Sequence, residues 1–325
     1  MAKIRAVISG VGSYLPERVV TNNDLAKIVD TSDEWIRSRS GIAERHFAAE
    51  DEAASDLATA AARKALEAAG LGPDDIGLII VASVTPDRTF PSTAVYVQAK
   101  LGAPPGPAFD VSAACAGFIY ALSAAQKSIA AGEVRHALVI GAEKLSCFLD
   151  WSDRSTCVLF GDGAGAVVLS AAPQEEGAPQ AGVLGAYLAA DGRLADHLYA
   201  DGGPSSTGTV GKVRMNGREV FRNAVDKISD AVLQVADRAD VSCRTIDWFV
   251  PHQANIRIIE ACAKKLDIDM EKVIVTIEKH GNTSSASIPL ALDEAVRDGR
   301  IKRGDLLAFA SLGGGLAWGG ALVRY

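Results

Sequence analysis

Cysteine is scarce in this chain, five in 325 residues and an odd number. That excludes a small disulfide scaffold, whose stability depends on many paired cysteines. Cys147, Cys157, Cys243 and Cys262 have no cysteine neighbour at metal-ligand spacing, so they read as structural and no metal site is expected. Positive charge is in deficit, 33 Lys and Arg against 40 Asp and Glu for a net charge of −7. Nucleic acid is therefore not the expected partner, although a local basic patch fits inside an acidic whole. No apolar run approaches the roughly 18–20 residues of a membrane span. The opening residues carry only a very short apolar stretch between Arg5 and Ser9, against the roughly 7–15 residues of a signal peptide's core. A cytoplasmic enzyme with reduced thiols is the expectation. A dinucleotide fingerprint is missing too: Gly10-Val-Gly-Ser-Tyr-Leu15 runs into Pro16, and Gly161 to Leu169 runs into a strand. NAD is not expected on that ground, nor is any resident cofactor.

What is present is an ordinary globular composition, 48% hydrophobic and 22% charged, with glycine in excess at 31 residues. At about 150 residues per domain the length suggests two domains or one large unit. Ile4–Gly12 reads as a strand ending in a glycine-rich turn. Ala54–Ala69 reads as an amphipathic helix stopped by Gly70. Ile76–Ala82, Ala137–Gly141 and Ala164–Leu169 are apolar runs of the kind buried on both faces. Strands alternating with helices make this an α/β protein with parallel or mixed sheets.

The chain also repeats itself. A helix, a short polar turn and a strand recur with Ile246 lying 170 positions beyond Ile76. Asn282 lies 167 positions beyond Cys115, and each is followed seventeen residues later by a glycine, Gly299 and Gly132. An internal duplication follows: an N-terminal half over 1–172, a linker over 173–181 and a C-terminal half over 182–325.

Cys115 sits in Asp110-Val-Ser-Ala-Ala-Cys-Ala-Gly-Phe118, a strand-to-helix turn built of small residues. A helix N-terminus stabilises a thiolate and offers N–H groups to an oxyanion, although a cysteine among alanines also serves as inert filler. His252 ends the strand Trp248–Pro251, where α/β sheets place their sites. Asn282 precedes another helix, a position that also suits an N-cap. Gly313, Gly314 and Gly315 serve either a tight turn or close approach of backbone to a ligand.

Taken together, these segments resemble the β-ketoacyl-[acyl-carrier-protein] synthase III family. The likeness is carried in order by Gly12–Pro16, Thr31–Ile36, Arg39–Ile42, Thr85–Asp87, Phe90–Ser92, Ala114–Phe118, Phe160–Gly165, His252–Asn255, Gly281–Ser284 and the terminal glycine block. The resemblance implies a thiolase-like fold of five αβαβα layers from two duplicated halves. It implies Cys115 as the acylated nucleophile, His252 and Asn282 as the decarboxylation pair, and the backbone N–H groups of Cys115 and Gly314 as an oxyanion hole. Thr31, Trp35, Arg39 and Arg154 match positions that hold coenzyme A. Arg222, Arg257, Lys264 and Lys265 would dock an acyl carrier protein, and Phe90 would reach across a homodimer toward the partner's acyl pocket. Packing around Phe90, Leu145, Phe160 and Leu316 is expected to set the primer length. The implied reaction is a decarboxylative condensation of a short acyl-CoA with a malonyl carrier protein. Three other readings remain: a condensing enzyme of secondary metabolism, a Cys–His thioesterase with no use for Asn282, and an inactive scaffold.

Overall fold

Strands apolar along their whole length have no face to give to water, so each must lie between two other layers. In the computed structural model, which describes residues 3–174 and 180–325, two such sheets form the middle of the molecule. The first contains β1 (Lys3–Tyr14), β2 (Leu78–Ala82), β3 (Ala108–Val111), β4 (His136–Glu143) and β5 (Gly163–Gln174), in the order β1-β5-β4-β2-β3. The second contains β6 (Gly182–Ala190), β7 (Trp248–Pro251), β8 (Leu306–Gly313) and β9 (Ala317–Arg324), in the order β7-β8-β9-β6. The pairing sense repeats between them. β2–β4 and β7–β8 are parallel, whereas β1–β5–β4 and β6–β9–β8 are antiparallel. The counterpart of β3 is reduced to one parallel bridge between Phe249 and Val273.

The helices longer than one turn are α1 (Asp33–Ser40), α2 (Ala54–Ala69), α3 (Thr93–Leu101), α4 (Gly117–Ala130), α5 (Gly217–Arg238), α6 (Ile256–Lys265) and α7 (Ser287–Arg297). Between the sheets lie α4 and α7, whose Phe118, Leu122, Ile288 and Leu292 share one core with Ile80 and Phe309. Leu57, Ala61 and Val97 of α2 and α3 cover the outer face of the first sheet. Ile228, Val232 and Ile259 of α5 and α6 cover that of the second. This is the expected αβαβα stack.

The duplication is more regular than the sequence suggests. Ala114 and Ser284 both take positive φ (46° and 51°), each opening a 3-10 turn, and they lie 170 positions apart. Gly70 and Asp240, both left-handed where a helix stops, share that spacing. Cys115 therefore corresponds to Ser285, and pairing it with Asn282 is corrected. The apparent slip of three is helix length: α4 has 14 residues and α7 has 11.

β1 does not end at Gly12 but continues to Tyr14. A Cβ on Gly12 would stand 2.3 Å from the Ala65 amide nitrogen, and one on Gly10 2.2 Å from the Ala65 carbonyl oxygen. These glycines let α2 lie directly on the strand. Gly12→Ala is expected to cost about 3 kcal/mol or more, since backbone rather than a flexible side chain is in the way. An unchanged midpoint in urea unfolding would contradict that close approach.

Residues 175–179 of the expected linker lie outside the described residues, while Pro173 and Gln174 still pair with Ile4 and Lys3. No helix among the described residues is long and apolar enough to cross a membrane.

Candidate active site

Cys115 lies in the 3-10 turn Ala114–Ala116 that leads into α4. Its carbonyl accepts a 2.7 Å hydrogen bond from the Ser311 hydroxyl. The β8–β9 hairpin presses on its amide so closely that a Cβ on Gly313 would stand 2.4 Å from the Cys115 nitrogen. The Cys115 residue is 7% exposed. A depressed thiol pKa is expected at a helix N-terminus, but burial dominates here and pushes Cys115 up to about 11. At neutral pH the Cys115 side chain is thus a thiol.

His252 follows β7, and its backbone N–H donates to the Ala310 carbonyl at 2.9 Å. Its Nδ1 lies 2.6 Å from the Ser287 hydroxyl at the start of α7, and that hydroxyl also accepts the Gln253 backbone N–H at 3.3 Å. The hydroxyl keeps a second lone pair, so it serves Nδ1 as donor or acceptor; as donor it puts the ring proton on Nε2. Burial lowers the His252 pKa to about 3. The imidazole is therefore neutral and a hydrogen-bond donor.

Asn282 is held by an isolated parallel bridge to Phe160: its N–H donates to the Leu159 carbonyl at 2.9 Å and its carbonyl accepts the Gly161 N–H at 3.0 Å. The side-chain Oδ1 accepts the Ser284 N–H at 2.9 Å. That bond fixes the amide and leaves the Nδ2 donors for a ligand. Asn282 is more than an N-cap, because α7 starts only at Ser287.

Cys115, His252 and Asn282 line one cavity of about 320 Å³, together with Trp35 and Arg39. The guanidinium carbons of Arg39 and Arg154 lie 4.8 and 5.2 Å from the Trp35 ring centroid. Thr31 has a buried Oγ1 with no partner. Gly314 does not line the cavity; the nearest atom to a Cβ built there is the Leu198 carbonyl oxygen at 2.6 Å. Of the residues expected to bound an acyl pocket only Phe160 lines this cavity; Leu145 and Leu316 are buried outside its lining, and Phe90 is 82% exposed. Arg257, Arg222, Lys264 and Lys265 are exposed on the neighbouring helices α5 and α6, the Arg257 guanidinium 5.9 Å from Phe221 at the cavity wall. Arg222 pairs with Glu219 and Lys265 with Asp226. Arg214 is engaged by Asp150 and Asp201.

Comparison with known proteins places this arrangement. Residues 109–192 match the model of 3-oxoacyl-[acyl-carrier-protein] synthase III, and residues 236–325 match the model of that family's C-terminal part. A β-ketoacyl-[acyl-carrier-protein] synthase III of Rhizorhabdus wittichii is 59% identical over 321 residues, covering 99% of both chains. That of Erythrobacter litoralis is 58% identical over 322 residues, covering 99% of this chain and all of the relative. The chain belongs to this family. It is accordingly an acyltransferase that performs the initiating condensation of fatty acid synthesis. The crystal structure of the synthase III from Aquifex aeolicus superposes with a TM-score of 0.92 at 51% identity, covering 98% of this chain and 100% of that one. The thiolase-like fold is thereby shown.

Several supporting residues carry no signal in a single sequence. Ser287 orients His252, Ser311 anchors the Cys115 turn, and Gln253 ties Pro251, Ile274 and Thr276 together through both ends of its amide. Arg45 is fully buried without a carboxylate partner. It donates to the carbonyls of Val20 and Val158 and to Asn22 Oδ1, and burial lowers its pKa to about 10. Gly161 and Gly281 close over its Cβ, so this cation holds the segment to which Asn282 is bridged.

Proposed function

We propose that the chain condenses a short acyl-CoA, acetyl-CoA in the first instance, with a malonyl-[acyl-carrier protein]. Cys115 attacks the acyl thioester, coenzyme A leaves, and the acyl group stays on sulfur. The malonyl carrier protein then enters, and loss of its carboxylate as carbon dioxide leaves a thioester enolate. His252 Nε2–H and Asn282 Nδ2–H stabilise that enolate oxygen, both being neutral donors already in place. The backbone N–H of Cys115 stabilises the oxyanion formed when the enolate attacks the acyl-cysteine. That of Gly314 is its partner from the β8–β9 turn, outside the cavity lining but next to the Gly313 that packs on the Cys115 amide.

The observation that carries this reading is the convergence of Cys115, His252 and Asn282, from both halves of the chain, on one cavity. Trp35 with Arg39 and Arg154 at its face supports a place for the adenine and phosphates of coenzyme A. Thr31, with its free buried hydroxyl, belongs to the same subsite. Arg222, Arg257, Lys264 and Lys265 offer an acidic carrier protein an electrostatic approach despite the net charge of −7. Phe90, exposed in the single chain, fits a homodimer in which it is covered by the partner. The five cysteines are free, which fits a reducing, cytoplasmic setting.

Purified protein given acetyl-CoA and malonyl carrier protein is expected to release carbon dioxide and form a β-ketoacyl carrier protein in equal amounts. Free acetate without carbon dioxide would replace this reading with a thioesterase.

A further inference from the structure

Arg45 is a fully buried cation whose hydrogen-bond partners are all neutral, and the steps above do not use it. It stands in the short strand Glu44–Phe47, which pairs antiparallel with Arg18–Thr21. Its Nη1 donates to the Val20 carbonyl at 3.1 Å and to Asn22 Oδ1 at 2.8 Å, and its Nη2 to the Val158 carbonyl at 2.8 Å. Val158, Leu159 and Phe160 line the cavity, and the next carbonyl along, that of Leu159, accepts the Asn282 N–H. The backbone beside Arg45 holds the same segment again, since the Asp162 N–H donates to the His46 carbonyl at 2.8 Å. A Cβ on Gly161 or on Gly281 would stand 2.9 Å from the Arg45 Cβ. Gly281, at φ 64° and ψ −165°, has a backbone conformation essentially confined to glycine, and it directly precedes Asn282. Arg45 thus packs against both chain segments of the Phe160–Asn282 bridge.

We propose that Arg45 is a positioning residue for Asn282: it fixes the 158–161 segment and, through the bridge, the place of the Asn282 amide in the cavity. The bonds of Asn282 are local or run through this bridge. Its Oδ1 takes the Ser284 N–H two residues on, and its backbone N–H and carbonyl both go to the 159–161 segment. A shift of that segment is therefore passed to the Nδ2 donors. A guanidinium suits this task, because its planar fork donates in fixed directions to acceptors on separate segments, and its charge strengthens bonds to neutral oxygens. A neutral side chain of similar volume would fill the space and join none of them.

This inference rests on the condensation proposed above, with Asn282 as an enolate donor, and adds no chemical step to it. The rest of the site does not hang on Arg45. The Cys115 turn is anchored by Ser311, and His252 by Ser287 and the Ala310 carbonyl. Helix α1, which carries Trp35 and Arg39, keeps ties of its own. Asn22 Nδ2 donates to Asp33 Oδ1 at 2.9 Å and to the Ile42 carbonyl at 2.8 Å, and Asn255 Nδ2 donates to the Arg39 carbonyl at 2.8 Å. Loss of Arg45 should therefore be felt in decarboxylation and not in acylation.

The test compares Arg45→Met, Arg45→Lys, Asn282→Asp and the double variant of Arg45→Met with Asn282→Asp, each in the full chain. Acyl-enzyme formation at varied acetyl-CoA is followed by intact mass, and carbon dioxide release is followed from acyl-enzyme already formed. Arg45→Met is expected to lower carbon dioxide release roughly 100-fold, the scale of a misplaced reacting group. The rate of acylation and its dependence on acetyl-CoA should stay close to wild type. Arg45→Lys keeps the charge without the fork, so its release should fall between Arg45→Met and wild type. The double variant should be no slower than Asn282→Asp alone, because a residue that acts only through Asn282 then has nothing left to position. Wild-type carbon dioxide release in folded Arg45→Met overturns the assignment. So does slowing of acylation by the same factor, or a double variant slowed by the product of the two effects, either of which would mean a general loosening. If Arg45→Met does not fold, Arg45→Lys and its double with Asn282→Asp decide by the same criteria. Wild-type release in Asn282→Asp alone would instead remove the reading of Asn282 on which the inference rests.

Discussion

Cys115→Ala is expected to yield no acyl-enzyme on incubation with acetyl-CoA and to lose turnover by roughly 10⁶-fold, the scale seen when a covalent nucleophile is deleted. The physical reason is that no other sulfur is placed to substitute. Cys157 and Cys262 are buried elsewhere, and neither they nor Cys147 or Cys243 line the cavity. The substitution is also mild for the fold. Alanine fits a turn already made of alanines, and the Ser311 hydroxyl bonds to the Cys115 carbonyl rather than its sulfur. The thermal midpoint should therefore stay close to that of the wild type while activity disappears. A mass shift of one acetyl group persisting in the variant would move the nucleophile to another residue, and residual turnover near wild type would remove the covalent step.

The buried strands, their alternation with helices and the duplication are legible because they rest on patterns that burial imposes on sequence, whereas the five layers came with the family resemblance. Leu78–Ala82 has no polar residue to show to water, and Ala54–Ala69 has one apolar face and a glycine stop. The position of His252 at a strand end follows from the same logic. What the sequence conceals are effects that depend on several segments at once. The exact repeat of 170 residues is hidden by a difference in helix length that only positive φ at Ala114 and Ser284 reveals. Gly10 and Gly12 look like a turn, because a glycine needed for close packing reads the same as one needed for left-handed backbone. The helix N-terminus suggests a ready thiolate at Cys115, but desolvation by residues distant in sequence outweighs it. Arg45 is one basic residue in a short strand, and its partners come from segments at 20–22 and 158.

Asn282→Asp and His252→Ala are expected to separate the two halves of the reaction. Asp occupies the volume of Asn and can still accept the Ser284 N–H, so the bridge to Leu159 and Gly161 should persist. What changes is the face toward the cavity, where two N–H donors give way to carboxylate oxygen beside a developing enolate. Decarboxylation should fall by at least roughly 10²–10³-fold, the cost of losing one preorganised oxyanion donor, with acylation of Cys115 retained. His252→Ala removes the other donor and leaves the Ser287 hydroxyl and the Ala310 backbone bond in place, so it should show the same division. The pH dependence follows from the sign of the His252 shift. Its pKa falls from 6.5 in the unfolded chain to about 3 when folded, so between those values the unfolded state binds more protons. Its contribution to stability is therefore present above about pH 6.5 and diminishes as the pH drops toward 3. The donor itself stays neutral over that window, so carbon dioxide release per folded acyl-enzyme should not titrate with His252. A loss of decarboxylation with an apparent pKa near 6.5 in protein shown to be folded would mean that His252 acts as a proton acceptor. Loss of acylation rather than decarboxylation in Asn282→Asp would exchange the roles assigned to the two halves of the site.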